Sequence, residues 1–313
     1  MTRLSRLAPP LALLAILAIG YGPVVVEMVR DWARDANYHH GFLIPLVSGY
    51  LIWRGRGRLR RAESAPSILG LAGALAAAAL FVLGSAGAEV FTQRISLLLL
   101  LGSLVLFLHG RHHLRLVAFP LAFLLFAVPL PYLIYYGLTG PLQAFAAKCA
   151  IWGLRLVGVQ ALAEGNMIHL ANTSLEVAEA CSGIRSLYAF LAVGALVAHY
   201  TPLPLWGRLA IFLSTIPLSV AGNAVRVWGS GMGACMVGPE ATTGTLHELF
   251  GLLVFVVSLV LFLIIKKVAG KLWSSDTSSP SSSSEPPPSM GPGSAGTGRS
   301  PGRSPTSTDS PAS

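Results

Sequence analysis

Ser67-Ile-Leu-Gly-Leu-Ala-Gly-Ala-Leu-Ala-Ala-Ala-Ala-Leu-Phe-Val-Leu-Gly-Ser-Ala-Gly87 contains no charged side chain, and it follows closely on Arg54-Gly-Arg-Gly-Arg-Leu-Arg-Arg61. As a helix rising ~1.5 Å per residue, the 67–87 run covers about 30 Å, the thickness of the hydrocarbon core of a bilayer. The five arginines before it belong on the cytoplasmic side, where basic loops collect. Working outward, apolar runs recur along the 313-residue chain: hydrophobic residues make up 53% and charged ones 11%, and the mean hydropathy is +0.66. Soluble domains carry about 25% charged residues, so this chain has too few to cover a water-facing surface. The composition specifies an all-α polytopic membrane protein. A net charge of +9 would also suit a nucleic-acid binder, but the basic residues lie between apolar runs and there set orientation instead.

The expected spans are 8–29, 42–53, 67–87, 95–109, 116–134, 184–200, 205–222 and 248–267. The first follows the basic start Met1-Thr-Arg-Leu-Ser-Arg6 and lacks a small-residue cleavage site, so it reads as an uncleaved anchor. The second is only about 12 residues, or 16 counted from Tyr38, and holds Pro45: a short span or a re-entrant piece. Tyr135–Val159 carries Lys148 and Arg155 on one helical face and is expected to lie at the interface as an amphipathic helix. Leu162–Val177 is expected to form a short extracytoplasmic hairpin. Eight spans place every basic loop and both termini in the cytoplasm, and put the 177–183, 223–230 and 240–247 segments on the other face. From about Ser274 to Ser313 the chain is rich in Ser, Pro, Gly and Thr and has no aromatic residue. It is expected to be a disordered cytoplasmic tail, which divides the chain into 1–273 and 274–313.

Polar residues at membrane-embedded helix ends are costly, and three groups of them are candidates for chemistry. Glu179-Ala-Cys-Ser-Gly-Ile-Arg-Ser186 puts Cys181 at the start of a span, where the helix dipole favours the thiolate, with Ser182 and Arg185 beside it. Gly222-Asn-Ala-Val-Arg-Val227 supplies Arg226, a cation for a thiolate or oxyanion, and Asn223 three residues before it. His247-Glu-Leu-Phe-Gly251 supplies an acid–base group. Each residue alone has a plainer reading: an inert cysteine, a snorkelling arginine, an interfacial histidine. Together, at one end of three consecutive spans, they make the constellation of a thiol acyl-transfer site. Cys149 and Cys235 are read as structural; His39 and His40, at the outer end of the second span, could border the same site but are read as interfacial and structural, and His169 is left without a catalytic role. Three cysteines are too few and too irregularly spaced for a disulfide framework or a zinc site.

These motifs resemble the exosortase/archaeosortase family of membrane-embedded cysteine transpeptidases. The matching residues are Ala180-Cys-Ser-Gly-Ile-Arg-Ser186, Gly222-Asn-Ala-Val-Arg226 and His247 with Gly251. His39-His-Gly-Phe-Leu-Ile-Pro45 and Phe119-Pro-Leu-Ala-Phe-Leu-Leu-Phe126 with Pro129-Leu-Pro131 agree as well, so the resemblance runs over roughly residues 20 to 268. It implies a bacterial inner-membrane enzyme whose substrates are exported, membrane-anchored proteins with a C-terminal signal. That signal comprises a short motif such as Pro-Glu-Pro, a transmembrane helix and a basic cluster. By position, Cys181 would form the thioester, Arg226 would stabilise thiolate or oxyanion, and His247 would shuttle the proton. Asn223, Arg185 and Ser182 would support them. The resemblance implies no metal or organic cofactor, no nucleic acid, and an association with exopolysaccharide production. The same residues serve hydrolysis or transfer, since only the acceptor differs. A non-enzymatic component of exopolysaccharide export is the rival from another class. A transporter is the next, but it would show repeat symmetry and polar groups at mid-membrane.

Overall fold

The computed structural model describes residues 3–171, 174–177, 183–238 and 244–276. The chain opens with α1 (Arg3–Arg34) and a 3-10 turn (Ala36–Phe42), then folds back through α2 (Leu43–Arg54) and the arginine-bearing α3 (Arg56–Arg61). A hairpin of α4 (Ile68–Ala86) and α5 (Val90–His109) follows, then α6 (Arg111–Phe123) with a 3-10 turn (Leu124–Ala127), and α7 (Tyr132–Leu156). Three short strands, β1 (Ala161–Glu164), β2 (Met167–Leu170) and β3 (Ser174–Glu176), precede α8 (Ile184–Tyr200), α9 (Leu205–Met236) and α10 (Gly244–Asp276).

Among the described residues, α4, α5, α9 and the 247–271 part of α10 are long and apolar enough to cross a membrane. The number becomes five if α6 with its 3-10 turn and α7, bent by 71° at the break, form one span. This is a mostly helical, multi-pass membrane protein. Two of the other expected spans fall on shorter helices: α2 has 12 residues and α8 has 17, against about 20 for a straight crossing. The break before α7 falls at Pro129-Leu-Pro131, where proline excludes helical geometry from the preceding residue.

Two ends are distinguishable by charge. Arg54 stacks over the ring of Tyr200 at 5.7 Å, so the arginine cluster shares its end with the α8–α9 turn. At the opposite end Trp32 donates its indole N–H to the Ala127 carbonyl at 2.7 Å, closing α1 over the turn after α6. Beside Trp32 at this end Arg94, only 5% exposed, is neutralised by Asp31 at 2.6 Å, and deeper in the bundle the Tyr21 hydroxyl meets Ser96 at 3.0 Å. These polar side chains inside the apolar bundle thus meet polar partners.

Three local outcomes differ from the sequence reading in extent. The expected hairpin is a three-stranded antiparallel sheet, β1-β2-β3. Gly165 and Asn166 turn between Glu164 and Met167, with Gly165 at φ +61, a left-handed value that glycine adopts at little cost. α7 carries Lys148 and Arg155 on an exposed face as expected, but it also buries Ala146, Ala147, Ala150 and Leu154. That second face packs against Ile168 of the sheet and Val227 of α9. Finally, α9 does not end near 222; it stays helical to Met236, through the 223–230 segment. Of the tail expected from Ser274, residues 274–276 are the last of α10, and the rest, from 277 onward, lies outside the described residues.

Candidate active site

α9 has 32 residues, about 48 Å at ~1.5 Å per residue, and so exceeds a ~30 Å hydrocarbon core. Counted from Leu205, the first ~20 residues use up that thickness near Ala224. Arg226 and Ser230 follow that point along α9, one helical turn apart. α10 reaches the same level with His247. The Arg226 guanidinium contacts His247 Nε2 at 3.1 Å, and the Ser230 hydroxyl lies 3.2 Å from His247 Nδ1 and 3.0 Å from the Arg226 carbonyl.

These contacts have only one consistent direction. A guanidinium only donates, so Nε2 accepts, and in a neutral imidazole Nδ1 then carries the proton. Nδ1–H donates to Ser230 Oγ, and the Ser230 hydroxyl donates its own proton to the Arg226 carbonyl. The ring of His247 is thus gripped at both nitrogens, and both grips lead back to α9. A Cβ on Gly251 would lie 2.8 Å from Arg226 Nε and 3.0 Å from Cζ. The guanidinium rests on the bare backbone of α10, one turn after His247, a place that any side chain would take from it.

Asn223, 6% exposed, sits on the neighbouring face of α9 and points at α8. Gly183, which caps α8, has φ +81, and a Cβ there would come within 2.8 Å of Asn223 Cγ. Gly183 is therefore required twice, for a left-handed backbone and for contact with Asn223. Replacing Gly183 by alanine is expected to cost about 1–3 kcal/mol from the backbone conformation alone, with displacement of Asn223 added. Thermal unfolding in detergent micelles measures it; an unchanged midpoint would mean that α8 starts without this constraint. Ser186 donates to the Gly183 carbonyl at 2.9 Å and accepts from Ser219 at 3.5 Å. Ser186, Ser219, Asn223, Arg226 and Ser258 line a cavity of about 30 Å³ between α8, α9 and α10, room for a water or two.

Cys181 and Ser182 lie outside the described residues, but the chain is fixed on both sides of them. Before them, Val177 donates its N–H to the Asn166 carbonyl at 2.8 Å, and its own carbonyl accepts from Gln143 of α7 at 3.0 Å. After them comes Gly183 against Asn223.

A model of the transmembrane exosortase family matches residues 32–264, well over half of the 313-residue chain. The chain belongs to the transmembrane exosortase family. The match begins within α1 and ends within α10, so it takes in Asn223, Arg226, His247 and the segment holding Cys181. No curated protein and no solved structure matches the chain.

The other residues singled out in this exosortase sequence lie as follows. Arg185 Nε donates to Asn37 Oδ1 at 3.2 Å, and Asn37 in turn donates to the Tyr135 hydroxyl at 2.9 Å. It ties α8 to α7 and to the turn after α1. His40 packs edge-on against Tyr188 of α8, with ring centroids 5.3 Å apart. His169 is bound within the sheet, to Ser174 at 2.8 Å and Glu164 at 3.5 Å. Cys149 lies in the groove between α7 and α9, and Cys235 is exposed near the end of α9. Among the described residues, no three metal-ligating side chains converge. Ser230 and Gln143 escaped the sequence reading. For Ser230 the available signal was its place four residues after Arg226, where a helical serine reaches back to a carbonyl.

Proposed function

We propose that this exosortase is a cysteine peptidase or transpeptidase that cleaves exported proteins at a C-terminal sorting signal, made of a short motif, a transmembrane helix and a basic cluster. The observation that carries the reading is the contact between Arg226 and His247, a fixed cation beside an oriented imidazole. They share an end of the bundle with Gly183, two residues beyond Cys181. In the proposed cycle the Cys181 thiol gives its proton to His247 Nε2 as Arg226 turns one of its N–H groups from Nε2 to the sulfur. The thiolate attacks the scissile carbonyl, and Arg226 stabilises the oxyanion, with Asn223 in support. When the C–N bond breaks, the imidazolium returns the proton to the leaving amine, and a thioester of Cys181 remains. Water or an amine acceptor then releases it. Arg185 and Ser182 act by holding the start of α8.

The charge pattern supports the remaining parts of the reading. With the arginine loops and the lysines at 266, 267 and 271 in the cytoplasm of a bacterial inner membrane, the chain crosses eight times. Both termini are then cytoplasmic, the site is extracytoplasmic, α7 rests at the interface, and a tail from 274 follows the 1–273 catalytic domain.

The test is co-expression with a tagged protein ending in such a signal. A shortened product that depends on this chain is expected, and the mass of its new C-terminus separates a free acid from an acceptor adduct. Full-length substrate with and without the chain, at equal expression, would overturn the reading.

A further inference from the structure

His247 is held by a chain of hydrogen bonds that begins and ends on one residue of α9. The Arg226 side chain donates to Nε2, Nδ1–H donates to Ser230 Oγ, and the Ser230 hydroxyl donates to the backbone carbonyl of Arg226. The loop fixes two properties that distance alone leaves open. One is the rotation of the imidazole about its Cβ–Cγ bond, because a half-turn of the ring would move Nδ1 away from Ser230. The other is the tautomer: Arg226 can only donate to Nε2, and Ser230 Oγ, having committed its proton to a carbonyl, presents only lone pairs to Nδ1, so the loss of either contact loosens it.

We propose that Ser230 is the positioning residue of His247: it holds the Nδ1–H tautomer, so that Nε2 is the sole proton-accepting nitrogen and faces the same point as the Arg226 guanidinium. The inference rests on the reading of His247 as the acid–base group. When His247 takes a proton at Nε2, its Nδ1–H stays on Ser230, whose oxygen is polarised by the Arg226 carbonyl dipole. The imidazolium then keeps a hydrogen-bond acceptor although it stands beside a guanidinium. Ser230 itself neither gains nor loses a proton and touches no substrate. Its effect therefore falls on turnover rather than on substrate binding.

Two measurements test this, one of them independent of activity. Protein labelled with ¹⁵N-histidine, reconstituted in bilayers, is expected to show His247 with Nδ1 protonated and Nε2 bare, the signal being assigned by its loss in His247→Gln. Ser230→Thr, which keeps the hydroxyl, is expected to keep that pattern and a turnover within about threefold of wild type. Ser230→Ala is expected to populate the other tautomer and to lower kcat about 10- to 100-fold with KM nearly constant, the range typical when the outer hydrogen-bond partner of a metal-binding histidine is removed. An Nε2-protonated signal in wild type, or an unchanged tautomer or kcat in Ser230→Ala, would overturn the proposal. If no substrate is cleaved at all, the reading of the enzyme falls, and the nitrogen spectra still decide whether Ser230 sets the tautomer.

Discussion

Cys181→Ala is expected to abolish cleavage of a co-expressed substrate, and Cys181→Ser to leave traces at most. The asymmetry between the two replacements is chemical. Alanine removes the nucleophile altogether. Serine restores an atom of similar position, but its hydroxyl ionises far less readily than a thiol, whose ordinary pKa of about 8.5 is already within reach of a helix N-terminus and a nearby cation. Cys149 and Cys235 supply the internal control. The first lies in an apolar groove between α7 and α9 and the second is exposed at the far part of α9, and neither contacts Arg226 or His247 in any described interaction. Alanine at either position is expected to leave processing within about twofold of wild type, as surface and isolated small-residue changes usually do. The measurement is the fraction of tagged substrate shortened at equal enzyme level. Activity retained in Cys181→Ala and lost in Cys149→Ala or Cys235→Ala would transfer the nucleophile to another cysteine.

The helices and the two charged ends were open to sequence reasoning because both follow from local composition: apolar runs have no alternative to helix in lipid, and basic clusters have one preferred side. Arg226 and His247 were legible for the same reason, as polar residues placed where polarity is costly. What escaped was whatever depends on a neighbour. Residues 223–236 contain Asn223, Gly229, Gly231 and Gly233, a composition that suggests a loop on propensity alone. In the fold those small residues are contact points: Phe250 fills the space at Gly229 and Leu154 that at Gly231, and the helix persists because packing outweighs propensity. Burial of α7 was hidden similarly, since Ala146, Ala147 and Ala150 look alike whether they face lipid or protein. β3 has three residues and exists by pairing with β2, so its own sequence carries almost no pattern. Ser230 is the sharpest case. It is one more small residue in a glycine-rich stretch until α10 brings His247 to it.

Arg226→Lys is expected to fail nearly as badly as Arg226→Ala, both losing about 10²- to 10³-fold in kcat, the loss typical of a missing oxyanion donor. If charge alone mattered, lysine would suffice. The geometry demands more. The guanidinium is planar and carries five N–H groups, and one of them already serves His247 Nε2 while others must serve the sulfur and then the oxyanion. An ammonium group concentrates three N–H bonds on a single nitrogen and cannot reach two partners set apart by the width of a guanidinium. Gly251 makes the point separable from the chemistry of residue 226 itself. A Cβ at 251 would meet Arg226 Nε at 2.8 Å, Cζ at 3.0 Å and the terminal nitrogen at 3.2 Å, so Gly251→Ala moves the guanidinium while keeping its charge and all its donors. It is expected to lower kcat at least tenfold with expression and unfolding temperature close to wild type, because a flexible side-chain end gives way more easily than the helix. Single-turnover cleavage rates for the three variants decide between the two accounts. If Arg226→Lys and Gly251→Ala both run within about threefold of wild type, Arg226 acts through charge alone. If both fail, the position and planarity of the group are what the site uses, and the glycine of α10 is part of that site although it has no side chain to contribute.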